Sequence, residues 1–197
     1  AEKMLAAGAH ILDLGAVSSR PGALPLALPQ ELDRLLPAVE RISGSFDCGL
    51  SIDTSQVEVM RACLPLGISM INDINALQAK GACQLVSGYD VDVCLMHKQG
   101  EPATMQVQPQ YENVVTEVFD FLAQRVDACL AAGIQRHTLC VDPGFGFGKT
   151  VAHNVALLKS LHVFKDLGVP LLVGLSRKAL FDALFKLEVE QRLLPSV

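Results

Sequence analysis

Short apolar runs recur along the chain, and nearly every one ends on a hydrophilic side chain. Residues 11–15 form the first run, with Asp13 inside it. Residues 48–52 end at Asp53-Thr54-Ser55, residues 68–71 at Asn72-Asp73, residues 91–96 at His97-Lys98 and residues 138–141 at Asp142. The run 169–174 leads to Ser176-Arg177-Lys178. Apolar runs of this length bounded by turn residues predict strands. Between them apolar residues recur at spacings of three and four, which predicts helices over 2–7, 29–43, 57–66, 76–87, 114–132, 155–167 and 179–185. The segment 114–132 has the clearest pattern, with Val118, Leu122, Val126, Cys129 and Leu130 on one face and Gly133 behind it as a stop. The segment 76–87 is the weakest helix, and the tail from Leu187 has no clear period.

Strand, loop and helix thus alternate about six times across 197 residues. Such alternation makes an α/β fold with a parallel sheet covered by helices. An open doubly wound sheet and a (β/α) barrel both accommodate six units. The hydrophilic strand ends Asp53, Asn72, His97, Asp142 and Lys178 favour the barrel, where all of them converge on one mouth. A complete (β/α)8 TIM barrel has eight units, so residues 1–197 are expected to form one domain, a partial barrel of about six β/α units. Ala1-Glu2-Lys3 reads like the middle of a helix, which suggests a chain truncated at both ends.

Composition narrows the function. Half of the residues are hydrophobic and 19% are charged, a globular balance. The formal charge of −5, with no basic run, argues against nucleic acid or an anionic membrane as partner. No apolar stretch approaches the roughly 20 residues of a membrane span. The six cysteines include no C-x-x-C pair, which favours free thiols in a reducing, cytoplasmic compartment over a disulfide framework or zinc.

The chemistry centres on residues 141–150, V-D-P-G-F-G-F-G-K-T. A phosphate-binding P-loop requires glycine where Pro143 stands, and a dinucleotide fingerprint requires G-x-G-x-x-G rather than G-x-G-x-G. Both fail. A plain glycine turn would leave Asp142 at the strand end unexplained. Asp53, Asn72 and Asp142 together suit a heterocycle rich in N–H donors and acceptors, because a carboxylate accepts two parallel N–H bonds and an amide both donates and accepts. Lys178 adds a cation, and Arg20 with Ser19 suits a carboxylate or phosphate. Each has a bland reading. Asp53 and Asp142 could cap the following helices, Asn72 could be a turn residue, Arg20-Pro21-Gly22 an ordinary turn, and His97 is best read as a polar residue at a loop edge. Their clustering is what favours function.

These segments resemble the dihydropteroate synthase family. The matches run in order: S-S-R-P-G-A from Ser18, S-I-D-T-S from Ser51, I-N-D-I from Ile71, L-M-H from Leu95, P-A-T-M-Q from Pro102, D-P-G-F-G-F-G-K from Asp142 and G-L-S-R-K from Gly174. The resemblance implies a (β/α)8 barrel enzyme of folate biosynthesis, the target of sulfonamides. Such an enzyme condenses 6-hydroxymethyl-7,8-dihydropterin diphosphate with 4-aminobenzoate and releases diphosphate with the help of Mg²⁺. Carried over, Asp53, Asn72, Met96, Asp142 and Lys178 would hold the pterin. Ser19, Arg20, Pro21, Phe147 and Ser176 would line the aminobenzoate side, and Asp53, Lys178 and Arg20 would carry catalysis. No side chain of this chain is assigned to metal, and a homodimer is implied for the full-length protein.

The chain also departs from the family pattern. Val17 stands where the family has an acid and Ser19 where it has threonine, while Ala179 and Asp182 replace a serine and a glycine. The family's N-V-T-P-D-S-F and R-V-H-D segments are absent from this sequence. As it stands the chain is therefore expected to be weakly active or inactive and to expose two unpaired strand edges. Two other readings are a methyltetrahydrofolate methyltransferase barrel and a divergent pterin-binding domain without synthase activity. The Ser18–Pro21 and Ser176–Lys178 segments speak against the first, and Val17 with the missing segments supports the second.

Overall fold

Parallel pairing follows from helices that return the chain to the same end of the sheet after each strand. In the computed structural model, which describes residues 1–18, 26–101 and 103–196, the strands are β1 (Ile11–Leu14), β2 (Gly49–Asp53), β3 (Met70–Asp73), β4 (Asp92–Met96) and β5 (Leu139–Asp142). They form one sheet in sequence order, and every neighbouring pair is parallel. The expected strand over 169–174 is reduced to one parallel bridge, Val141 to Leu171. There the Val141 N–H donates to the Pro170 carbonyl at 3.0 Å and Leu172 donates back to Val141 at 2.8 Å. Pro170 has no N–H of its own to extend the ladder. Among the described residues β1 pairs only with β2 and the 171 segment only with β5, so the partial barrel has two open edges.

The helices are α1 (Glu2–Ala6), α2 (Leu28–Ser43), α3 (Val57–Cys63), α4 (Ala82–Val86), α5 (Val114–Ala131), α6 (Val151–Lys159) and α7 (Ala179–Phe185). Strand side chains alternate between two faces. Leu50, Ile52, Ile71, Val93, Leu139 and Val141 point to the helices and are buried against Leu35 and Val39 of α2, Val59 of α3, Val118 and Leu122 of α5 and Leu157 of α6. The opposite face carries Asp13, Ser51, Asp53, Asn72, Cys94, Met96, Cys140 and Asp142. All six cysteines are free, and Cys63, Cys83, Cys94 and Cys129 are buried.

Three helices differ from the periodicity. The helix expected over 76–87 is cut to Ala82–Val86. The Asp73 carboxylate takes the N–H groups of Asn75 at 2.7 Å and Leu77 at 2.9 Å, and Ala76 and Leu77 both sit at φ 52°. A left-handed backbone cannot continue a right-handed helix. The helix expected over 155–167 begins earlier, at Val151, because Thr150 Oγ1 caps the His153 N–H at 3.2 Å. It then breaks at Ser160 into a 3₁₀ helix, Leu161–Leu167, which still buries Phe164. The helix expected over 57–66 tightens into a 3₁₀ turn at Leu64–Leu66, around Pro65.

Helix α5 has a cap that the apolar pattern does not reveal. Asn113 Oδ1 accepts from Val115 at 3.0 Å and Thr116 at 3.2 Å, and Glu117 Oε1 accepts the Asn113 N–H at 3.0 Å. This reciprocal pair satisfies donors that a helix start leaves orphaned. Asn113→Ala is expected to destabilise the fold by about 1 kcal/mol, read as a lower midpoint in urea with unchanged slope.

Candidate active site

Parallel register sets the levels of the inner face. Asp53 pairs with Asn72, Asn72 with Cys94, Cys94 with Cys140, and Met96 with Asp142. Asp53, Asn72, Cys94 and Cys140 therefore share one level. Met96 and Asp142 stand two residues further toward the carboxyl ends of their strands, on the same face. This places Asp53, Asn72, Met96 and Asp142, all predicted from sequence, around one mouth.

Neither aspartate caps a helix. Asp142 Oδ1 accepts the Gly144 N–H at 2.7 Å, and α6 is capped by Thr150 instead. The residue before α3 is Gln56, and no side chain caps that helix. Asn72 Nδ2 donates to Asp13 Oδ2 at 3.1 Å. Asp13 was visible in the sequence as an acid inside an apolar run, yet nothing there gave it a role. Asp73, the residue after Asn72, is spent internally: Ser55 Oγ donates to it at 2.5 Å, beside the two backbone N–H groups noted above. Glu31 of α2 was missed entirely. It is buried, and its Oε1 accepts from Thr54 Oγ1 at 2.6 Å, which ties α2 to the S-I-D-T-S segment. The Ser51 hydroxyl is also buried on the inner face, without a hydrogen-bond partner among the described residues.

The alternating glycines are explained by backbone contact. Gly144 and Gly148 lie at φ 70° and 62°. A Cβ on Gly144 would meet the His97 carbonyl oxygen at 1.9 Å, and one on Gly148 the Gln99 carbonyl oxygen at 2.2 Å. The loop is thus laid directly on the segment after β4, where no side chain fits. Lys149 fastens it. Its Nζ donates to the carbonyls of Gly144 at 2.9 Å, Phe147 at 3.0 Å and His97 at 3.3 Å, and lies 3.0 Å from His97 Nδ1. Asn154 of α6 accepts the Gly146 N–H at 2.8 Å and donates to the Thr150 carbonyl at 2.7 Å. Gln106 Nε2 donates to the Gly146 carbonyl. The lysine is a brace rather than a phosphate ligand.

His97 is not the loop-edge polar residue expected. It is buried, with its ring edge-on to Phe121 at 5.0 Å. Burial and the adjacent Lys149 charge push its imidazole down to about 3, so it is neutral at physiological pH. The neutral ring can accept from the ammonium at Nδ1. No sequence signal separates such a histidine from an exposed one.

Lys178 stands over the Phe147 ring, its Nζ 4.6 Å from the centroid, within electrostatic reach of Asp142. Phe147 is half-buried and Ser176 is exposed. The backbone before Lys178 is pinned from the tail. Arg177 lies at φ 52°, and its N–H donates to Ser196 Oγ at 3.1 Å. Arg192 donates to the Leu187 carbonyl at 2.9 Å and approaches Asp182 at 3.7 Å, so the unexpected Asp182 is an ion-pair partner. Ser19, Arg20 and Pro21 lie outside the described residues. Among the described residues, no group of three His, Cys, Asp or Glu side chains is arranged to hold a metal.

The mouth carries carboxyls that are costly to ionise. Burial first, then the carboxylates of Asp13, Asp73 and Glu31, push Asp53 up to about 7. Burial also raises Asp142, against the Gly144 N–H and the two lysines. Asp53 holds a proton in the fold between 3.8 and about 7, where the unfolded chain does not, so its contribution to stability falls as pH rises through that window. Lys149, brought down by burial to about 7, and His97 have the opposite sign in their own windows. Asp53→Asn isolates one group. Its thermal midpoint relative to the unsubstituted protein is expected to climb between pH 4 and 7 and then level off, and a constant difference across that range would refute the assignment.

The chain matches the family model of pterin binding enzymes over residues 1–196. It is 46% identical over 195 residues to the dihydropteroate synthase of Haemophilus influenzae, covering 99% of this chain and 71% of that protein. It is 42% identical over 197 residues to that of Escherichia coli strain K12, covering 100% of this chain and 70% of that one. The fold superposes on the Yersinia pestis dihydropteroate synthase in a sulfonamide drug complex with a TM-score of 0.94 at 42% identity, over 98% of this chain and 70% of that one. It superposes on the Xanthomonas albilineans enzyme with 4-aminobenzoic acid with a TM-score of 0.92 at 43% identity, over 99% and 70%. Sequence order, inner-face geometry and these likenesses agree that the chain belongs to the pterin-binding enzyme family, among the dihydropteroate synthases.

Proposed function

We propose that the protein condenses 6-hydroxymethyl-7,8-dihydropterin diphosphate with 4-aminobenzoate to give 7,8-dihydropteroate and diphosphate. The observation that carries this reading is the gathering of Asp53, Asn72 and Asp142 on one face at the carboxyl ends of parallel strands, with Lys178 beside Asp142. A pterin's amino-pyrimidinone edge presents adjacent N–H donors and a carbonyl. The carboxylates accept the former, and Asn72 or Lys178 donates to the latter. Met96, buried on the same face as Asp142, offers an apolar surface to the ring. Related proteins support both substrate halves: structures of the Xanthomonas albilineans enzyme contain 4-aminobenzoic acid and 7,8-dihydropteroate.

In the reaction the bond between the exocyclic methylene and the diphosphate oxygen breaks, and diphosphate leaves with the electron pair. The aromatic amine then attacks the cationic methylene carbon and loses a proton. Asp53 and Asp142 supply negative charge near that developing cation, and no protein nucleophile is needed. Phe147 and Ser176 line the side from which 4-aminobenzoate enters, the family motif assigns Ser19, Arg20 and Pro21 to the same substrate, and Lys178 bridges the two halves. Orientation of the amine supplies much of the acceleration. The chemistry that Mg²⁺ would supply, when bound with the substrate, is charge neutralisation on the leaving diphosphate. The described side chains present no three-ligand set for it, and the roles above do not depend on it.

Two measurements test this reading. In a direct assay of dihydropteroate formation, Lys178→Ala and Asp142→Ala are expected to lose roughly a hundredfold or more of activity. No product from well-folded protein would move the reading to a pterin-binding domain without synthase activity. Calorimetry of pterin binding in buffers of different ionisation enthalpy tests Asp53. A carboxyl held near 7 must shed its proton to accept N–H donors, so binding at pH 6 is expected to release close to one proton and at pH 8 almost none.

A further inference from the structure

One acid of the inner face has no role in the reaction above. Asp13 lies in β1, and its Oδ2 accepts from Asn72 Nδ2 at 3.1 Å. In register Asp13 pairs with Ser51, two residues before Asp53, while Asn72 pairs with Asp53. The Asp13 side chain therefore starts one level lower and crosses β2 to reach the amide. The chain just after β1 is pressed against the mouth: a Cβ on Gly15 would stand 3.2 Å from Asp53 Cβ. Burial first, and then Asp13 ahead of Asp73 and Glu31, raise Asp53. Asp13 thus adjoins both polar residues on the β2–β3 side of the mouth.

The contact has a polarity that an acid fixes. A carboxylate accepts and does not donate, so it faces the NH₂ end of the Asn72 amide and not the oxygen. One Nδ2 proton is thereby taken. The other proton and Oδ1 are left over, and no donor among the described residues bonds to that oxygen. Toward a ligand Asn72 therefore presents one donor and one acceptor side by side, in an order set by Asp13.

On the pterin reading, on which this role rests, the polar atoms of a 7,8-dihydropterin run in order: ring carbonyl, N3–H, 2-amino group, N1 and N8–H. Asp142, with Lys178 beside it, matches the carbonyl, N3–H and amino group. N1 and N8–H, an acceptor next to a donor, are left for Asn72, which stands two strands from Asp142, roughly 10 Å at the usual strand spacing. We infer that Asp13 is a positioning residue: it locks the Asn72 amide with its oxygen toward N8–H and so makes the site select the 7,8-dihydro ring over the fully oxidised one. In the oxidised ring N8 carries no proton, and two lone pairs would face each other. A site built to bond an N–H rejects the analogue that lacks it.

The test is calorimetry at pH 8, where Asp53 is ionised in most molecules, with 6-hydroxymethyl-7,8-dihydropterin and its fully oxidised counterpart. The unsubstituted protein is expected to prefer the dihydro form. Asp13→Asn keeps the shape but offers either polarity, so the Asn72 amide is free to turn. Its affinity for the dihydropterin is expected to fall about tenfold, with the oxidised pterin almost unaffected. Asp13→Glu retains an acceptor-only group and is expected to recover part of the preference. In an Asn72→Ala background, Asp13→Asn is expected to change nothing further, because its effect passes through that amide. An unaltered preference in Asp13→Asn, an equal loss for both pterins, or the same loss in both backgrounds would overturn the role of Asp13 while leaving the pterin reading in place. Binding of neither pterin to the folded, unsubstituted protein would overturn both. Asp13→Ser, whose hydroxyl likewise has no fixed polarity, takes the place of Asp13→Asn if that variant fails to fold.

Discussion

The buried ammonium of Lys149 is the contact on which the rest of the mouth depends. Removing an ammonium from water costs several kcal/mol unless its donors are all taken up. Here three carbonyls and an imidazole take them, and they belong to two different segments, the glycine loop and the end of β4. The arrangement works only at close range, and close range is possible only because Gly144 and Gly148 have no side chain. Asp142 inherits its position from that packing, since its carboxylate is aligned by the Gly144 N–H. A chain of dependence thus runs from one lysine through two glycines to one acid of the site.

The acids themselves are held against their own preference. Asp53 is raised by burial and by three neighbouring carboxylates, and Asp142 by burial despite two lysines. A structure optimised for stability alone would not gather them. Strain of this kind is relieved when N–H donors arrive, so the binding surface is set in advance and the ligand completes it. Where Asp73 lies beside the same strand ends, its oxygens are already used by Ser55, Asn75 and Leu77. The two adjacent residues Asn72 and Asp73 therefore have opposite duties, one facing the mouth and one holding the turn.

Much of the fold was legible because the signals were local. Apolar runs ending on Asp53, Asn72 and Asp142 marked both the strands and the mouth, and six alternations implied a parallel sheet. What escaped the sequence depended on distant partners. The helix expected from Ala76 failed because Asp73 and the left-handed pair Ala76-Leu77 claimed its first turn. The strand expected at 169–174 kept only one bridge. His97 looked like a surface residue because nothing nearby in sequence announces Lys149, Phe121 or Tyr111. Glu31 is twenty-three residues from the threonine it binds, and such a pair has no local signature. The segment holding Ser19, Arg20 and Pro21 was singled out by its motif alone.

The tail's grip on the Arg177 backbone has a consequence for the order in which the site is assembled. A ribosome delivers β1 through β5 first, and register alone can then align Asp53, Asn72 and Asp142. The peptide before Lys178 acquires its holding bond only when Ser196, nineteen residues later, has emerged. The acidic half of the mouth can be in place while its cationic half is still being made. During that interval the nascent chain displays a cluster of hard-to-ionise acids without the lysine that answers them.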